Sequence, residues 1–233
     1  RKWGFAMKSK LLTIPTMIGV AILVVAVAAG VILIQSKQLF GLGASPDSIP
    51  NNVKITNVTD NSFSVSWTTN KKTSGIVKWG TTNGNTNNSE TSELTNPGNV
   101  HHATIRGLAA NTTYFFKINS DGSDYENDGS AWTVRTGSTL PAPNDSGTVS
   151  GTVLTSTGSS AGNVVVYIII SGASELSATT SNNGSFVVSL SNIRTNNLNE
   201  YFEVANETLL EINVQGGLLG ISQVQILAGS AKP

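Results

Sequence analysis

The sequence predicts a mainly β protein in which one long hydrophobic α-helix precedes two β-sandwiches. An uncharged apolar run over residues 11–34 predicts the helix. From Val53 the hydrophobic pattern changes to the alternation of strands, and a second alternating pattern starts at Thr148. The chain has 233 residues, and at roughly 150 residues per domain this length predicts one or two domains.

These patterns divide the chain into five segments. Residues 1–40 hold the basic N-terminus and the hydrophobic helix, which we interpret as a membrane anchor or a filament core. Residues 41–50 form a Gly-, Ser- and Pro-containing linker, and residues 51–137 form the first sandwich. Residues 138–147 form a second linker, whose two prolines favour an extended connection, and residues 148–230 form the second sandwich.

Composition excludes several classes of function. Lys and Arg total 14 and Asp and Glu total 14, so the formal net charge is zero and a nucleic-acid partner is not expected. Cysteine is absent, which excludes disulfides, thiolate metal sites and cysteine nucleophiles. His101 and His102 are adjacent and point to opposite faces of a strand, so they cannot share a metal or a catalytic dyad. With no hydrolase or P-loop motif present, we expect a non-enzymatic protein without a cofactor.

The apolar run over residues 11–34 is long enough to cross a membrane. Its 24 residues rise about 1.5 Å each in a helix, which covers the roughly 30 Å of bilayer hydrocarbon. It is longer than the apolar stretch of a cleaved signal, which favours an anchor. Basic residues precede the run and only Lys37 follows it closely, which places the N-terminus in the cytoplasm and the rest of the chain outside. The preceding basic residues are Arg1, Lys2, Lys8 and Lys10.

A second interpretation of this helix is a filament core. The basic N-terminus with Trp3, followed by Gly4-Phe5 and a long apolar helix, resembles the leader and stalk of a type IV pilin. That resemblance implies a helix that first anchors the subunit and later packs against copies of itself. Small residues allow close helix packing, and those we expect at the assembly surface are Gly19, Ala26 and Gly30.

The first sandwich carries a family resemblance. Phe63, Val65 and Trp67 alternate with serine and threonine, which predicts a strand with one buried and one exposed face. Together with the Leu108-x-x-x-Thr112-x-Tyr114 pattern, Trp67 resembles the signature of a fibronectin type III domain. The resemblance implies that Trp67 is a core residue and that Tyr114 is the tyrosine corner.

Part of the same domain resembles a second family. The strand Val77-Lys-Trp-Gly80 is similar to one in the N-terminal domain of purple acid phosphatases. That domain is the accessory module of those metalloenzymes and holds none of their metal ligands, so the resemblance implies no activity for this segment.

The second sandwich has its own signature. Val149, Gly151, the apolar run of residues 164–170 and the segment Asn183-Gly-Ser-Phe186 resemble carboxypeptidase-regulatory-like and transthyretin-like sandwiches. Asn182-Asn183-Gly184 and Gly216-Gly217 each separate two alternating runs, which predicts two hairpins. Both domains are therefore expected to be Ig-like sandwiches.

Two sets of residues are candidate ligand or modification sites. We expect no bound metal, but the acidic residues Asp121, Asp124, Glu126 and Asp128 make a calcium candidate, with a hydrated hairpin tip as the alternative. Six sequons are candidates for N-glycosylation, at Asn57, Asn87, Asn111, Asn144, Asn183 and Asn206.

These features predict a non-enzymatic, extracellular structural or adhesion protein of a prokaryotic cell surface. The leading hypothesis is a pilin-like filament subunit that contacts the membrane through its N-terminal helix and self-associates as a homopolymer. A surface glycan or protein is a further candidate ligand. The alternatives are a single-pass membrane-anchored adhesin and an accessory binding module of a larger surface hydrolase.

Overall fold

A computed structural model describes residues 46–143 and 146–231. In this part of the chain the protein is mainly β, and no α-helix occurs. None of these residues belongs to a helix long and apolar enough to cross a membrane. The helix predicted over residues 11–34, with Gly19, Ala26 and Gly30, lies outside the described residues, as does the sequon at Asn144.

Eight strands form the first sandwich. They are β1 (Asn51–Thr56), β2 (Ser62–Thr73), β3 (Gly75–Gly80), β4 (Asn88–Thr91), β5 (Gly98–Arg106), β6 (Thr113–Ser120), β7 (Ser123–Tyr125) and β8 (Trp132–Arg135). One antiparallel sheet has the order β1-β2-β5. The other has β4, β3 and β6 side by side, with β7 and β8 both paired to β6. The core between them contains Phe63, Val65, Trp67, Ile105, Phe116 and Ile118.

Six strands form the second sandwich. They are β9 (Thr148–Thr152), β10 (Val165–Ile169), β11 (Leu176–Thr179), β12 (Ser185–Ser189), β13 (Leu209–Gln215) and β14 (Ile221–Leu227). A four-stranded antiparallel sheet has the order β11-β10-β13-β14 and faces the two-stranded pair of β9 and β12. The core between these sheets contains Val149, Val166, Ile168, Val188, Leu210 and Ile212.

The two sandwiches pack on each other within one compact unit, Ser45–Pro233. The β1-β2-β5 sheet turns one face to its own core and the other to the four-stranded sheet of the second sandwich. Leu94 and Val100 of the first sandwich form a buried cluster with Val165 and Tyr167 of the second. The described chain is therefore a stack of four β-sheet layers.

Strand β2 differs from its predicted pattern because of this stacking. The alternation predicts one exposed face, but residues 63–69 are buried on both faces. The serines on the outer face are buried because their hydroxyls find partners there. Ser66 Oγ lies 2.8 Å from Tyr167 Oη across the interface, and Ser64 Oγ lies 3.2 Å from Thr104 Oγ1 on the next strand.

Strand β10 of the second sandwich is also buried on both faces. Val166 and Ile168 point into the core of the second sandwich, whereas Val165 and Tyr167 point towards the first. A strand that is covered on both faces needs apolar side chains at successive positions. The uninterrupted apolar run of residues 164–170 follows from this double burial.

Candidate functional site

The most elaborate polar site is the seam between the sandwiches, which we define as Thr56, Asn57, Glu93, His102 and Ser177. Strand β11 lies at the edge of its sheet, where backbone N–H and C=O groups need partners. Asn57 follows β1 in a left-handed conformation with a φ of 52°, which asparagine tolerates better than most residues. This conformation directs both its backbone and its amide at β11.

Asn57 pairs with β11 much as a neighbouring strand would. Its backbone N–H donates to the Glu175 carbonyl at 2.9 Å. Its side-chain Oδ1 accepts from the Ser177 N–H at 2.9 Å, and its Nδ2 donates to the Ser177 carbonyl at 3.0 Å. One asparagine therefore satisfies three backbone groups at the edge of the other sandwich.

The Ser177 hydroxyl lies at the centre of the seam. Its Oγ is 3.0 Å from His102 Nε2, and His102 Nδ1 is 3.1 Å from Glu93 Oε2. This is the serine, histidine and carboxylate order of a hydrolase triad. Because a carboxylate only accepts, His102 Nδ1 carries the proton, and in the neutral imidazole Nε2 accepts from Ser177.

The remaining contacts of Ser177 show that its hydroxyl is not positioned as a catalytic nucleophile. Asn57 Nδ2 donates to Ser177 Oγ at 3.0 Å, and the Thr56 hydroxyl lies 2.6 Å away. A serine hydroxyl has one hydrogen and two lone pairs, so these three partners saturate it. Ser177 is 7% exposed and His102 is 4% exposed. The geometry is that of a clamp between two domains.

The carboxylate at the end of the chain of hydrogen bonds is stabilised as an anion. The hydrogen bond from His102 lowers the pKa of Glu93 to about 2, against an opposing effect of partial burial. Arg106 contributes to the same lowering, with its Nη1 3.5 Å from Glu93 Oε1. Glu93 therefore remains ionised, and an acceptor for His102, until the solution is strongly acidic.

Arg194 makes a second connection between the sandwiches. The side chain is 2% exposed, and its Nη2 lies 3.1 Å from Asp60 Oδ1 of the first sandwich. Its Nη1 donates to the Ser138 carbonyl of the linker at 2.6 Å and to the Leu198 carbonyl of the second sandwich at 3.0 Å. One guanidinium thus joins both sandwiches and the linker. Gly137 leaves the space for this guanidinium, since a Cβ there would lie 2.5 Å from Arg194 Nη1.

Tyr167 links the apolar and polar parts of the interface. Its ring belongs to the buried cluster with Val100, and Lys54 Nζ lies 4.9 Å from the ring centroid. Burial raises the pKa of Tyr167, which keeps the hydroxyl protonated for its hydrogen bond with Ser66. The Lys54 ammonium also forms an ion pair with Glu175 at 2.7 Å.

Trp67 and Tyr114 both lie in the core of the first sandwich. Trp67 stacks on His101, with ring centroids 4.8 Å apart. Gly75 allows this stack, because a Cβ there would approach Trp67 Cζ2 to 2.8 Å. Burial lowers the pKa of His101 to about 4, so the ring is neutral. The Tyr114 hydroxyl accepts from the Ala109 N–H at 2.8 Å, the backward hydrogen bond that the fibronectin resemblance implies for a tyrosine corner.

The acidic residues of the calcium candidate are held by separate lysines. Asp121 pairs with Lys71 at 2.9 Å, and Asp124 pairs with Lys78 at 2.7 Å. Glu126 pairs with Lys117. Within residues 46–143 and 146–231, no group of three or more His, Asp or Glu lies close enough to hold a metal ion. Calcium binding at this loop stays a prediction.

The described sequons lie in different environments. Four of them carry an exposed asparagine, namely Asn87, Asn111, Asn183 and Asn206. Asn57 is the fifth, and its amide nitrogen donates to Ser177 and to Ser64. A glycan on that nitrogen would take the place of these hydrogen bonds.

Sequence reasoning did not find the seam. Asn57 was identified only as a sequon, and Glu93 and Arg194 belong to no motif. His102 and Ser177 are 75 residues apart, and Asn57 and Ser177 are 120 apart. The one available signal was the row Ser64, Ser66 and Thr68 on β2, because short hydroxyl side chains suit a buried polar contact as well as an exposed face.

The fold and the seam define a fibronectin type III-like sandwich joined to a second β-sandwich. Residues 50–136 match the family model described as the N-terminal domain of purple acid phosphatase. This match covers the first sandwich and supports its fibronectin type III-like fold. A search of curated proteins found no match.

Similar solved structures were also found. The sensor domain of the anti-sigma factor RsgI4 from Pseudobacteroides cellulosolvens is 18% identical with a TM-score of 0.28, over 42% of this chain and 100% of that one. The FN1-FN3 domains of chicken CNTN1 are 16% identical with a TM-score of 0.30, over 78% of this chain and 67% of that one. A two-domain fibronectin type III segment of chicken tenascin is 11% identical with a TM-score of 0.27, over 76% of this chain and 98% of that one.

Proposed function

We propose that this chain is a non-enzymatic structural and binding protein of a prokaryotic cell surface, whose two sandwiches project from the membrane as one stiff unit. The observation that carries the proposal is the Asn57–Ser177 pairing at the seam. It uses directional hydrogen bonds, which tolerate little change in the angle between the domains.

Several features support stiffness over independent motion. Domains in one chain move relative to each other by default unless their interface is large and well packed. Here the apolar cluster around Tyr167 excludes water from the middle of the interface. Asn57 and Arg194 add polar connections to it, and Arg194 also holds the linker through Ser138.

The N-terminal sequence supports the cell-surface location. The apolar run of residues 11–34 would anchor the chain, and the basic residues before it would place the sandwiches outside. Packing of that run on copies of itself through Gly19, Ala26 and Gly30 would make a pilin-like homopolymer. A single-pass adhesin and an accessory module of a larger hydrolase use the same stiff unit, and the purple acid phosphatase match favours the latter among the alternatives.

Electron microscopy of cells that produce the full chain tests location and assembly. Material sheared from the cells is imaged in negative stain with an antibody against residues 146–231. Labelled filaments of regular width would support the filament hypothesis, and label confined to membrane vesicles would leave an anchored surface protein. Absence of label on intact cells, with label after lysis, would overturn the surface location.

Distance measurement by pulsed electron paramagnetic resonance tests stiffness. The chain has no cysteine, so spin labels at Ser89→Cys and Ser156→Cys report one distance between the sandwiches. We expect a narrow distribution in the full chain and a broad one when Asn57→Ala and Arg194→Ala are added. A distribution that is broad before these substitutions would contradict the stiff unit.

A serine hydrolase is the second candidate, because Ser177, His102 and Glu93 have the order of a triad. We expect no reaction of Ser177 with a fluorophosphonate probe, because its hydroxyl is saturated and buried. Labelling of the full chain that disappears in Ser177→Ala, and persists in Ser174→Ala, would favour the hydrolase.

A further inference from the structure

The outer edge of β14 is an open sheet edge. In the described part of the chain β14 has β13 as its one neighbour, so the backbone groups on its other side have no strand to pair with. All seven residues, Ile221–Leu227, pair with β13 in one continuous register. The edge therefore contains no bulge, and it is long enough for another strand to extend the sheet.

This edge lacks the devices that usually prevent strand pairing. Natural edges carry charged side chains, proline or a bulge. The sequence of β14, Ile-Ser-Gln-Val-Gln-Ile-Leu, has no charge and no proline. Its apolar side chains are also open to solvent, with Ile221 80%, Val224 51% and Leu227 47% exposed.

The sequence of β14 is nearly palindromic about Val224. In an antiparallel pair of two such strands centred on Val224, Gln223 lies opposite Gln225 and Ile221 lies opposite Leu227. Gln amides both donate and accept, so the two glutamines can pair with each other. Val224 faces Val224 of the other copy, which adds an apolar contact between β-branched side chains.

We propose that β14 is a self-association edge that pairs antiparallel with β14 of a second copy, with the twofold axis at Val224. The pairing joins two four-stranded sheets into one continuous sheet of eight strands. An isologous contact of this kind uses the same surface on both copies and closes as a dimer. It does not depend on the proposed cellular location or on the N-terminal helix.

Disulfide cross-linking of single-cysteine variants tests the register. In the proposed dimer, residue 224 of one copy lies directly opposite residue 224 of the other, at about 4.5 to 5.5 Å between Cα atoms, which a disulfide spans. Mild oxidation of full-length Val224→Cys in detergent micelles is therefore expected to give a covalent dimer on a non-reducing gel.

Ile221→Cys is the matched control. Residue 221 is more exposed than Val224. In the proposed dimer, however, residue 221 of one copy lies six residues along the strand from residue 221 of the other copy, or about 20 Å at 3.3 Å per residue. We expect Ile221→Cys alone to give no covalent dimer, and a mixture of Ile221→Cys with Leu227→Cys to give one. Equal cross-linking of Ile221→Cys alone and Val224→Cys, or none with Val224→Cys, would overturn the proposal.

A charge substitution gives a second, independent readout. Val224→Lys places two like charges at the twofold axis and should reduce the sedimenting mass of the full chain by half. Thr133→Lys, at an exposed position of β8, should leave the mass unchanged. Association through the N-terminal segment would persist in Val224→Lys, so an unchanged mass in that variant together with absent Val224→Cys cross-links would also overturn the proposal.

Discussion

The two edges of the four-stranded sheet in the second sandwich are treated in opposite ways. At the β11 edge, Asn57 of the first sandwich pairs with both backbone groups of Ser177. At the β14 edge, the described residues supply no partner, and apolar side chains point to solvent. One sheet thus has an edge closed within the chain and an edge open to the outside.

This difference shows how a short polar side chain can replace a whole strand. An edge strand needs its N–H and C=O groups satisfied, and one asparagine does this for Ser177 without extending the sheet. The closed edge fixes the arrangement of the domains, whereas the open edge retains the capacity to pair with another strand. Each edge can be perturbed without touching the other.

Among substitutions at the interface between the sandwiches, removal of the buried guanidinium should cause the largest loss in the free energy of unfolding. Arg194→Ala leaves the Asp60 carboxylate and the Ser138 carbonyl without their partner, so we expect a loss of about 3 kcal/mol in the free energy of unfolding. Urea denaturation of the full chain in detergent micelles measures it. Arg135→Ala, at an exposed position of β8, should change it by less than about 0.5 kcal/mol. Equal losses in both variants would contradict the role of Arg194.

Asn57→Ala should have the next largest effect. It leaves the N–H and C=O of Ser177 unpaired at a buried edge, with an expected loss of about 2 kcal/mol. Asn111→Ala is the matched control, because Asn111 has a similar φ of 53° but is exposed and outside the seam. The comparison of the two variants separates the hydrogen bonds from the conformational preference of asparagine. A loss in Asn111→Ala as large as in Asn57→Ala would attribute the effect to conformation alone.

Acid should weaken the fold in two steps, the first in the core of the first sandwich and the second in the seam. Burial lowers the pKa of His101 to about 4 in the folded state, against an ordinary value of 6.5. The stability that the neutral ring contributes is therefore present above pH 6.5 and is lost as the pH falls towards 4. The hydrogen bond from His102 lowers the pKa of Glu93 to about 2, against an ordinary value of 4.5. The stability that the Glu93 carboxylate contributes is therefore lost as the pH falls from 4.5 to 2. Each step has a limiting slope of about 1.4 kcal/mol per pH unit.

Two variants assign these steps by urea denaturation as a function of pH. His101→Gln should flatten the step between pH 6.5 and 4, and Glu93→Gln should flatten the one between pH 4.5 and 2. Strand β14 contains no titratable residue, so pairing at the open edge should keep its strength over the upper step. Unchanged pH profiles in both variants would show that other groups control the acid response.

The smallest effect is expected at the open edge. Val224→Lys should change the unfolding free energy of the monomer by no more than about 0.5 kcal/mol, because the side chain is half exposed. Thermal denaturation at a concentration below dimer formation checks this. A large loss would mean that Val224 is part of the core of the second sandwich.

The sequence predicted what local patterns encode. The alternation around Trp67 and the Leu108 to Tyr114 pattern indicated the first sandwich, and Gly216-Gly217 indicated the hairpin of β13 and β14. At Asn182-Asn183-Gly184 a turn forms, but the prediction of a hairpin was wrong, because β11 and β12 on either side of the turn belong to different sheets. These signals are carried by neighbouring residues, so a single sequence displays them.

The seam could not be predicted in the same way. Burial of the outer face of β2 depends on a sheet formed 100 residues later, and serine and threonine are typical of an exposed face as well. No residue near Arg194 in the sequence indicates its partner, because Asp60 comes beside it only in the folded chain. Contacts between distant segments leave no periodicity in the sequence.

The hydroxyl-lined face of β2 also has a consequence for synthesis. Domains fold in order as the chain emerges, N-terminal first. The first sandwich must therefore exist for a time with Ser64, Ser66 and Thr68 uncovered, until the second has been made. Because this face of β2 carries hydroxyl side chains, water can satisfy its polar groups until the second sandwich covers it.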